Sequence, residues 1–371
     1  MISTDKPSNF SHHNQILSVG LTALRTIGLW EATNRSWYRL MVLCLALILL
    51  PPKVIFGSGS ATFDSFVRNL SEIIFICENC AWLIIFTYHR DSFRMLVELL
   101  NNFVNREWPS EMRTQMAAFN RTMNKSAKLY AVFVSAVTIF FIVLPVVSSV
   151  VRFYGLNIRR DLGSYFIYTA FSIVVAICCG YCVLLKGTID QVLIQYGSKM
   201  FEMVSKRIEA MQQLVDSNKR RSEFRRIIEL HNLSLDYLHY LESTVSISLL
   251  ATTISCMLMW GLMMFYLSNN FSGPNGISIL SSFIVLLEEM IVYSINGTLL
   301  QSKAAGISSA MYTYPWHRES VVMQRAAKFV IQRAQRPVGI TAARFHYIDL
   351  KRLGSMVQAS YSYYLLLKDR F

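Results

Sequence analysis

Apolar residues gather along this chain in blocks of about twenty, the number a helix needs to cross the roughly 30 Å hydrocarbon core of a bilayer. Seven such blocks can be marked: Trp37 to Phe56, Phe63 to His89, Lys128 to Val151, Leu162 to Leu185, Thr244 to Leu267, Ile277 to Leu300 and Ile348 to Leu367. They predict an all-α, polytopic membrane protein with seven transmembrane helices. The last block contains Asp349, Lys351, Arg352 and several hydroxyls. It is too polar to face lipid all round, and such residues face a bundle interior or water.

A helical period continues between the blocks. Met200, Val204, Ile208, Met211 and Val215 recur at three and four residues, and Phe224, Ile227, Ile228, Leu233, Leu235 and Leu238 lead directly into the fifth block. A third face, Val322, Ala326, Phe329 and Val330, precedes Gln335, Arg336 and Pro337, which should stop its helix. These faces predict helices that extend beyond the membrane and pack on one another, on another subunit, or on both. The division that follows is 1–36 N-terminal segment, 37–185 helices one to four, 186–243 helical extension, 244–300 helices five and six, 301–347 anchor helix region, and 348–371 last helix with a short tail. Pro145 should kink the third block, and Gly273 to Gly276 should form a tight turn. With such short outer loops, a ligand should be small and bind among the helices.

Composition agrees with the pattern: 53% of the residues are hydrophobic and 16% charged. Charge decides orientation. Lys and Arg number four through Arg39, seven from Arg90 to Lys128, nine from Lys186 to Arg226 and seven from Lys303 to Arg344, and Lys351 and Arg352 bring one side to 29. The other side has six, with Arg68 inside the second block. The basic side is the cytoplasm, so the N-terminus should be cytoplasmic and the C-terminus extracellular. The net charge of +13 therefore faces anionic membrane lipids, and no nucleic acid is needed to account for it. The opening residues lack a signal-peptide pattern, and all seven cysteines fall in apolar blocks, which implies no disulfide framework.

Catalytic patterns are missing: there is no Walker loop, no His-Glu-x-x-His and no Gly-x-Ser-x-Gly. Cys77-x-x-Cys80 has metal-like spacing, but it sits in an apolar helix with no second pair, so small buried hydrophobes are expected. An enzyme, a cofactor and a metal are all disfavoured. Intramembrane charge says more. Glu72 follows Arg68 by four residues and can pair with it, whereas Glu78, Glu288 and Glu289 have no partner in sequence. They either line a polar cavity or contact another helix, or lie deep enough toward the cytoplasmic end to reach headgroups or basic residues.

Near the C-terminus stand Tyr314-Pro315-Trp316, Arg325, Gln332-Arg333-Ala334-Gln335-Arg336-Pro337, Phe345, and Ser360-Tyr361-Ser362-Tyr363 before Leu365, Leu366 and Leu367. In order and spacing these resemble the insect odorant receptor family. The resemblance implies a ligand-gated, non-selective cation channel in the plasma membrane of an olfactory neuron dendrite. It also implies a tetramer with the co-receptor Orco, held by a cytoplasmic anchor domain and lined by the last helix. Leu366 would then form the gate beside Tyr363, with Asp369 and Arg370 at the outer mouth. The odorant pocket implied by position would be lined by Leu70, Ile74, Phe75, Phe141, Tyr165, Tyr168, Phe171, Ile279 and Phe283, which suits a small and plausibly aromatic volatile.

Four positions differ from what that family or its co-receptor usually carries. Asp349 and Leu353 stand where a hydroxyl residue and a Phe are usual, Ala342 or Ala343 replaces a glycine before Phe345, and Asp369 aligns with a Gln of the co-receptor. The last difference makes the chain resemble a tuning subunit. A gustatory receptor shares the architecture but not the C-terminal residues. A G-protein-coupled receptor would place the N-terminus outside, against the charge count.

Overall fold

The computed structural model describes residues 18–27, 63–147, 162–271 and 274–370. Its described helices are α1 (Ser18–Ile27), α2 (Phe63–Tyr88), α3 (Arg90–Val104), α4 (Ser110–Val147), α5 (Leu162–Met211), α6 (Ser217–Asn270), α7 (Pro274–Thr313), α8 (Val321–Gln335) and α9 (Leu350–Arg370). A two-residue hairpin, β1 (Thr341–Ala342) and β2 (His346–Tyr347), separates the last two helices. The first apolar block, Trp37 to Phe56, lies outside the described residues.

Among the described residues, five helices contain stretches long and apolar enough to cross a membrane, within Leu70–Tyr88, Ser110–Val143, Ile173–Met211, Ser217–Asn269 and Ile279–Thr313. These lie in α2, α4, α5, α6 and α7. The seventh expected block does form a helix, α9, but its Lys, Arg, Asp and hydroxyl side chains keep its composition below that of a lipid-facing span. Within α4, Leu129, Val132, Phe133, Ile139 and Val143 are exposed, which is how a helix looks when lipid supplies the missing neighbour.

The long helices are the spans and the extensions in one piece. At 1.5 Å per residue, the 50 residues of α5 and the 54 of α6 reach about 75 and 80 Å, well over twice the bilayer core. Their extended parts bury the stripes expected from the sequence: Met200, Val204, Ile208 and Met211 on α5, and Phe224, Ile227 and Leu238 on α6, belong to one continuous core. Val215 is the exception, exposed in the turn between them. Asp216 caps α6, accepting from the Asn218 N–H at 2.9 Å. Arg220 closes the same corner by donating to the Leu214 and Val215 carbonyls at 2.9 and 2.7 Å.

Two expectations are corrected. The buried face of α8 is Met323, Ala327, Val330 and Ala334. Val322 and Phe329, assigned to that face from the sequence, are exposed, because α8 meets α7 about one residue's rotation away from the expected stripe. The helix does end at Gln335, before Pro337. Pro274, expected within a turn, instead opens α7, where its missing N–H leaves no bond unmade.

The hairpin sets the angle of α9. The Ala343 N–H donates to the Ser246 carbonyl at 3.0 Å and the Ile348 N–H to the Ile340 carbonyl at 3.0 Å, while Thr341 donates to Glu242 at 2.6 Å. Ala343 and Arg344 turn the chain with φ of 46° and 65°, the left-handed region that glycine enters without steric cost. The odorant receptor pattern places a glycine about here, which explains why one is usual. Replacing Ala343 with Gly should stabilise the protein by up to about 1 kcal/mol, the left-handed penalty less glycine's extra entropy loss. A thermal midpoint in detergent unchanged or lowered relative to wild type would contradict this reading of the turn.

Candidate functional site

Lys186 is the first side chain on which the bundle converges. Its position in the sequence, directly after an apolar block, suggests a membrane-proximal loop. Instead α5 continues through it, and the side chain is only 1% exposed. Its Nζ lies 2.8 Å from Glu78 Oε1 on α2 and 3.0 Å from Glu289 Oε1 on α7. Thr252 on α6 donates to the same Glu78 oxygen at 3.0 Å. One turn along α5, Asp190 accepts from the Trp82 indole of α2 at 2.9 Å. Four helices are thus tied at one level by groups that would each be costly to bury alone. Of the partners the sequence left open for Glu78 and Glu289, headgroups or basic residues among them, the structure supplies a basic residue, and it is a buried one. The expected Arg68 to Glu72 pair involves an Arg68 side chain outside the described set.

Further along α2, α6 and α7, toward Asn270, lies a second apolar cluster. Val67, Met259, Trp260, Met263, Ile279, Leu286 and Met290 are buried in it, and Ile74, Phe75 and Phe283 pack against it. So Ile74, Phe75, Ile279 and Phe283, four of the nine residues expected around a ligand, come together. Leu70 is half-buried on α2, and Phe141 on α4 is half-buried with its ring edge-on to Phe140 at 5.7 Å. Tyr165, Tyr168 and Phe171 belong to α5, but their side chains are outside the described set. The sequence reading missed the contribution of α6 altogether. Trp260 is 1% exposed, and its indole N–H has no partner among the described residues; leaving such a donor unmatched costs about 1–3 kcal/mol. Its apolar run had been read only as a span, yet a Trp in mid-span, away from both interfaces where the residue is common, was a signal.

The same cluster includes Met356 of α9, with Leu353, Tyr364 and Leu367 against it. The helix is held by one side. The Leu350 N–H donates to Thr298 Oγ1 at 3.0 Å, and Ser360 Oγ donates to the Met257 carbonyl at 3.2 Å. Gly297 and Gly261 permit the approach: a Cβ on Gly297 would lie 2.0 Å from the Ile348 carbonyl oxygen, and one on Gly261 3.3 Å from Tyr363 Cβ. The opposite side is open, with Val357, Tyr361, Leu365 and Leu366 exposed, Leu366 at 62%; the Tyr363 ring is exposed too, but the residue stands about two turns from Met356 on the side that meets Gly261. Asp369 and Arg370 are exposed in the last turn.

A cavity of about 390 Å³ lies elsewhere, where Trp108, Met112, Arg207, Met211, Leu214 and Glu223 line the space between the start of α4, the end of α5 and the start of α6. None of the expected ligand residues whose side chains are described lines it. Along α6 it is some 30 residues, about 50 Å, from Met259.

The model of the 7tm odorant receptor family matches residues 62–361. The chain belongs to the odorant receptor family. It is 24% identical to odorant receptor 13a of Drosophila melanogaster over 93% of both chains, and 27% identical to odorant receptor 10a of the same species over 40% of this chain and 36% of that one. It is 24% identical to the odorant receptor coreceptor of Anopheles gambiae over 35% of this chain and 25% of that one. The olfactory receptor OR5 of Machilis hrabei, solved in complex with eugenol, shares the fold with a TM-score of 0.78 at 14% identity, covering 98% of this chain and all of that one. The chain is thus a multi-pass membrane protein of olfaction, in a family of receptors rather than enzymes.

The odorant receptor signature near the C-terminus has a physical basis in these contacts. Tyr314 is buried and donates to Glu319 at 2.6 Å, and Glu319 also accepts from Arg220 at 2.7 Å. Burial and the adjoining carboxylate hold the Tyr314 phenol well above its ordinary range, so it remains a donor. Trp316 lies beneath the Lys328 ammonium at 5.8 Å. Asp349, standing where a hydroxyl residue is usual, caps α9 by accepting from the Arg352 N–H at 2.7 Å; Asp and Ser or Thr serve equally there.

Replacing Lys186 with Met should destabilise the protein by about 3–5 kcal/mol, because two buried carboxylates lose their counter-charge. Adding Glu78→Met and Glu289→Met should recover most of that loss. The check is surface expression together with the thermal midpoint in detergent, and a single variant as stable as wild type would show that the pairing does not hold the bundle.

Proposed function

We propose that this receptor is the tuning subunit of an odorant-gated, non-selective cation channel, assembled as a tetramer with the co-receptor Orco. The observation that carries this reading is the one-sided packing of α9. A 21-residue helix that is fastened to α6 and α7 along one edge, and that presents Tyr361, Leu366 and charged residues on the other, needs more chains to cover it. A pore wall shared by several subunits supplies that cover and accommodates polar and apolar positions alike.

In this reading the chain crosses the membrane seven times. The charge count puts the N-terminus and the extended parts of α5, α6 and α7 in the cytoplasm, where with α8 they form the anchor domain, and the end of α9 outside. Lipid covers the exposed face of α4. A small volatile enters the cluster around Ile74, Phe75, Ile279 and Phe283, with Leu70, Phe141, Tyr165, Tyr168 and Phe171 as further wall. It binds the open arrangement more tightly than the closed one, and that difference in affinity alone moves the equilibrium. Leu366 forms the gate, and Asp369 and Arg370 stand at the outer mouth. The working place of such a channel is the dendritic membrane of an olfactory neuron.

Whole-cell recording tests the proposal. Cells expressing this chain with the co-receptor, G-protein signalling blocked, should give a fast cation current to members of a volatile panel, and neither subunit alone should reproduce it. Silence across the panel with confirmed surface expression would contradict it. Replacing Leu366 with Ala should raise the basal current of the assembled channel several-fold, and unchanged basal and evoked currents would remove Leu366 from the gate. An epitope at the C-terminus should be stained on intact cells and one at the N-terminus only after permeabilisation; the reverse pattern would overturn the topology.

A further inference from the structure

We propose that the Trp260 indole N–H is a specificity-determining hydrogen-bond donor, selecting small apolar ligands that carry an oxygen acceptor such as a ketone, aldehyde, ester or ether. The inference rests on the odorant reading above and names the class of ligand for that cluster.

Trp260 lies in mid-span of α6, about 15 Å from the Asn270 end at 1.5 Å per residue, and only 1% of its side chain is exposed. A buried Trp ordinarily finds an acceptor for its N–H, and this one has none among the described residues. The side chains grouped with it are thioethers, aliphatics and aromatics, among them Met259, Met263, Ile279, Leu286 and Phe283, and thioether sulfur is a weak acceptor at best. A ligand with an apolar body and one acceptor meets both requirements: the body fills the lining and the oxygen takes the N–H. A hydrocarbon of the same shape would bury the donor unmatched.

The position also links recognition to the last helix. One residue further along α6, Gly261 allows the backbone to approach α9, where an added Cβ would lie 3.3 Å from Tyr363 Cβ and 3.4 Å from the Ser360 carbonyl oxygen. One turn before Trp260, the Met257 carbonyl accepts from Ser360 Oγ. A ligand that draws on Trp260 therefore acts on the turn of α6 that touches α9.

The experiment uses the assembled channel and matched compounds in which C=O is exchanged for C=CH2: acetophenone against α-methylstyrene, and 2-octanone against 2-methyl-1-octene. For at least one pair the wild-type channel should respond to the ketone at about a tenfold lower concentration than to the alkene, the worth of one neutral hydrogen bond in a desolvated site. Trp260→3-benzothienylalanine, which replaces the N–H with sulfur at nearly unchanged volume, should bring the two curves together by weakening the ketone and leaving the alkene in place. Trp260→Phe should do the same if it reaches the surface. A wild-type channel that responds equally to both members of every pair, or a ketone preference that survives the sulfur isostere, would overturn the assignment while leaving the odorant reading intact. A surface-expressed channel silent to all four compounds and to the wider panel would instead fail the odorant reading, and the role of Trp260 with it.

Discussion

A single ammonium buried between two carboxylates fixes the arrangement of this receptor. Lys186 contacts Glu78 and Glu289 within 3.0 Å, and Thr252 shares the Glu78 oxygen, so α2, α5, α6 and α7 meet at one level. Within a bilayer there is little hydrophobic force to hold helices together, because lipid tails are as apolar as the side chains they replace. A charge that finds its partners only on neighbouring helices supplies the missing specificity: rotating any of the three charged helices would leave an ion unpaired in hydrocarbon. The apolar cluster around Trp260 and the seat of α9 are both built on the segments of those helices that lead from this level toward Asn270.

From that level the two directions along the helices have different tasks. One runs into the extended parts of α5, α6 and α7, where Arg220, Glu319 and Tyr314 close the corner against α8 and the residues of the C-terminal signature find their contacts. The other runs into the apolar cluster, where α9 is fastened by Met257, Gly261, Gly297 and Thr298. The small residues at Gly261 and Gly297 matter because they let backbone meet backbone. A helix held along a line of close contacts can tilt as a unit when its support shifts, in a way that a helix buried on every side cannot.

Much of this was legible in the chain. The periods of Met200, Val204, Ile208 and Met211 and of Phe224, Ile227 and Leu238 found the core faces of α5 and α6, because those stripes pack within the same chain. Val322 and Phe329 misled, because α8 buries a face turned from the most apolar one and leaves those two exposed, and no local pattern reveals which neighbour a helix meets. Lys186 was hidden for a related reason: a lysine after an apolar run reads as an interfacial anchor, and its true partners are over a hundred residues away in both directions. The candidate ligand residues on α2 and α7 could be proposed by position in the family pattern, whereas for Trp260 the sequence offers only a Trp in mid-span, and its unmatched N–H is visible only in its surroundings. Asp349 shows the reverse case, a departure from pattern that proves equivalent in chemistry once its cap is seen.

The account stands on the exposed side of α9 being the wall of a conducting pore. Cysteine placed singly at Tyr361, Leu366 and Asp369, in the receptor assembled with its co-receptor, tests this most directly, with a charged, membrane-impermeant thiol reagent applied from outside while a volatile holds the channel open. A lasting change in current is expected at these positions, fastest at Asp369, with little change at Met356 on the opposite, buried side. Reaction that leaves the current unaltered at all three, with labelling verified at the surface, would mean that ions pass elsewhere.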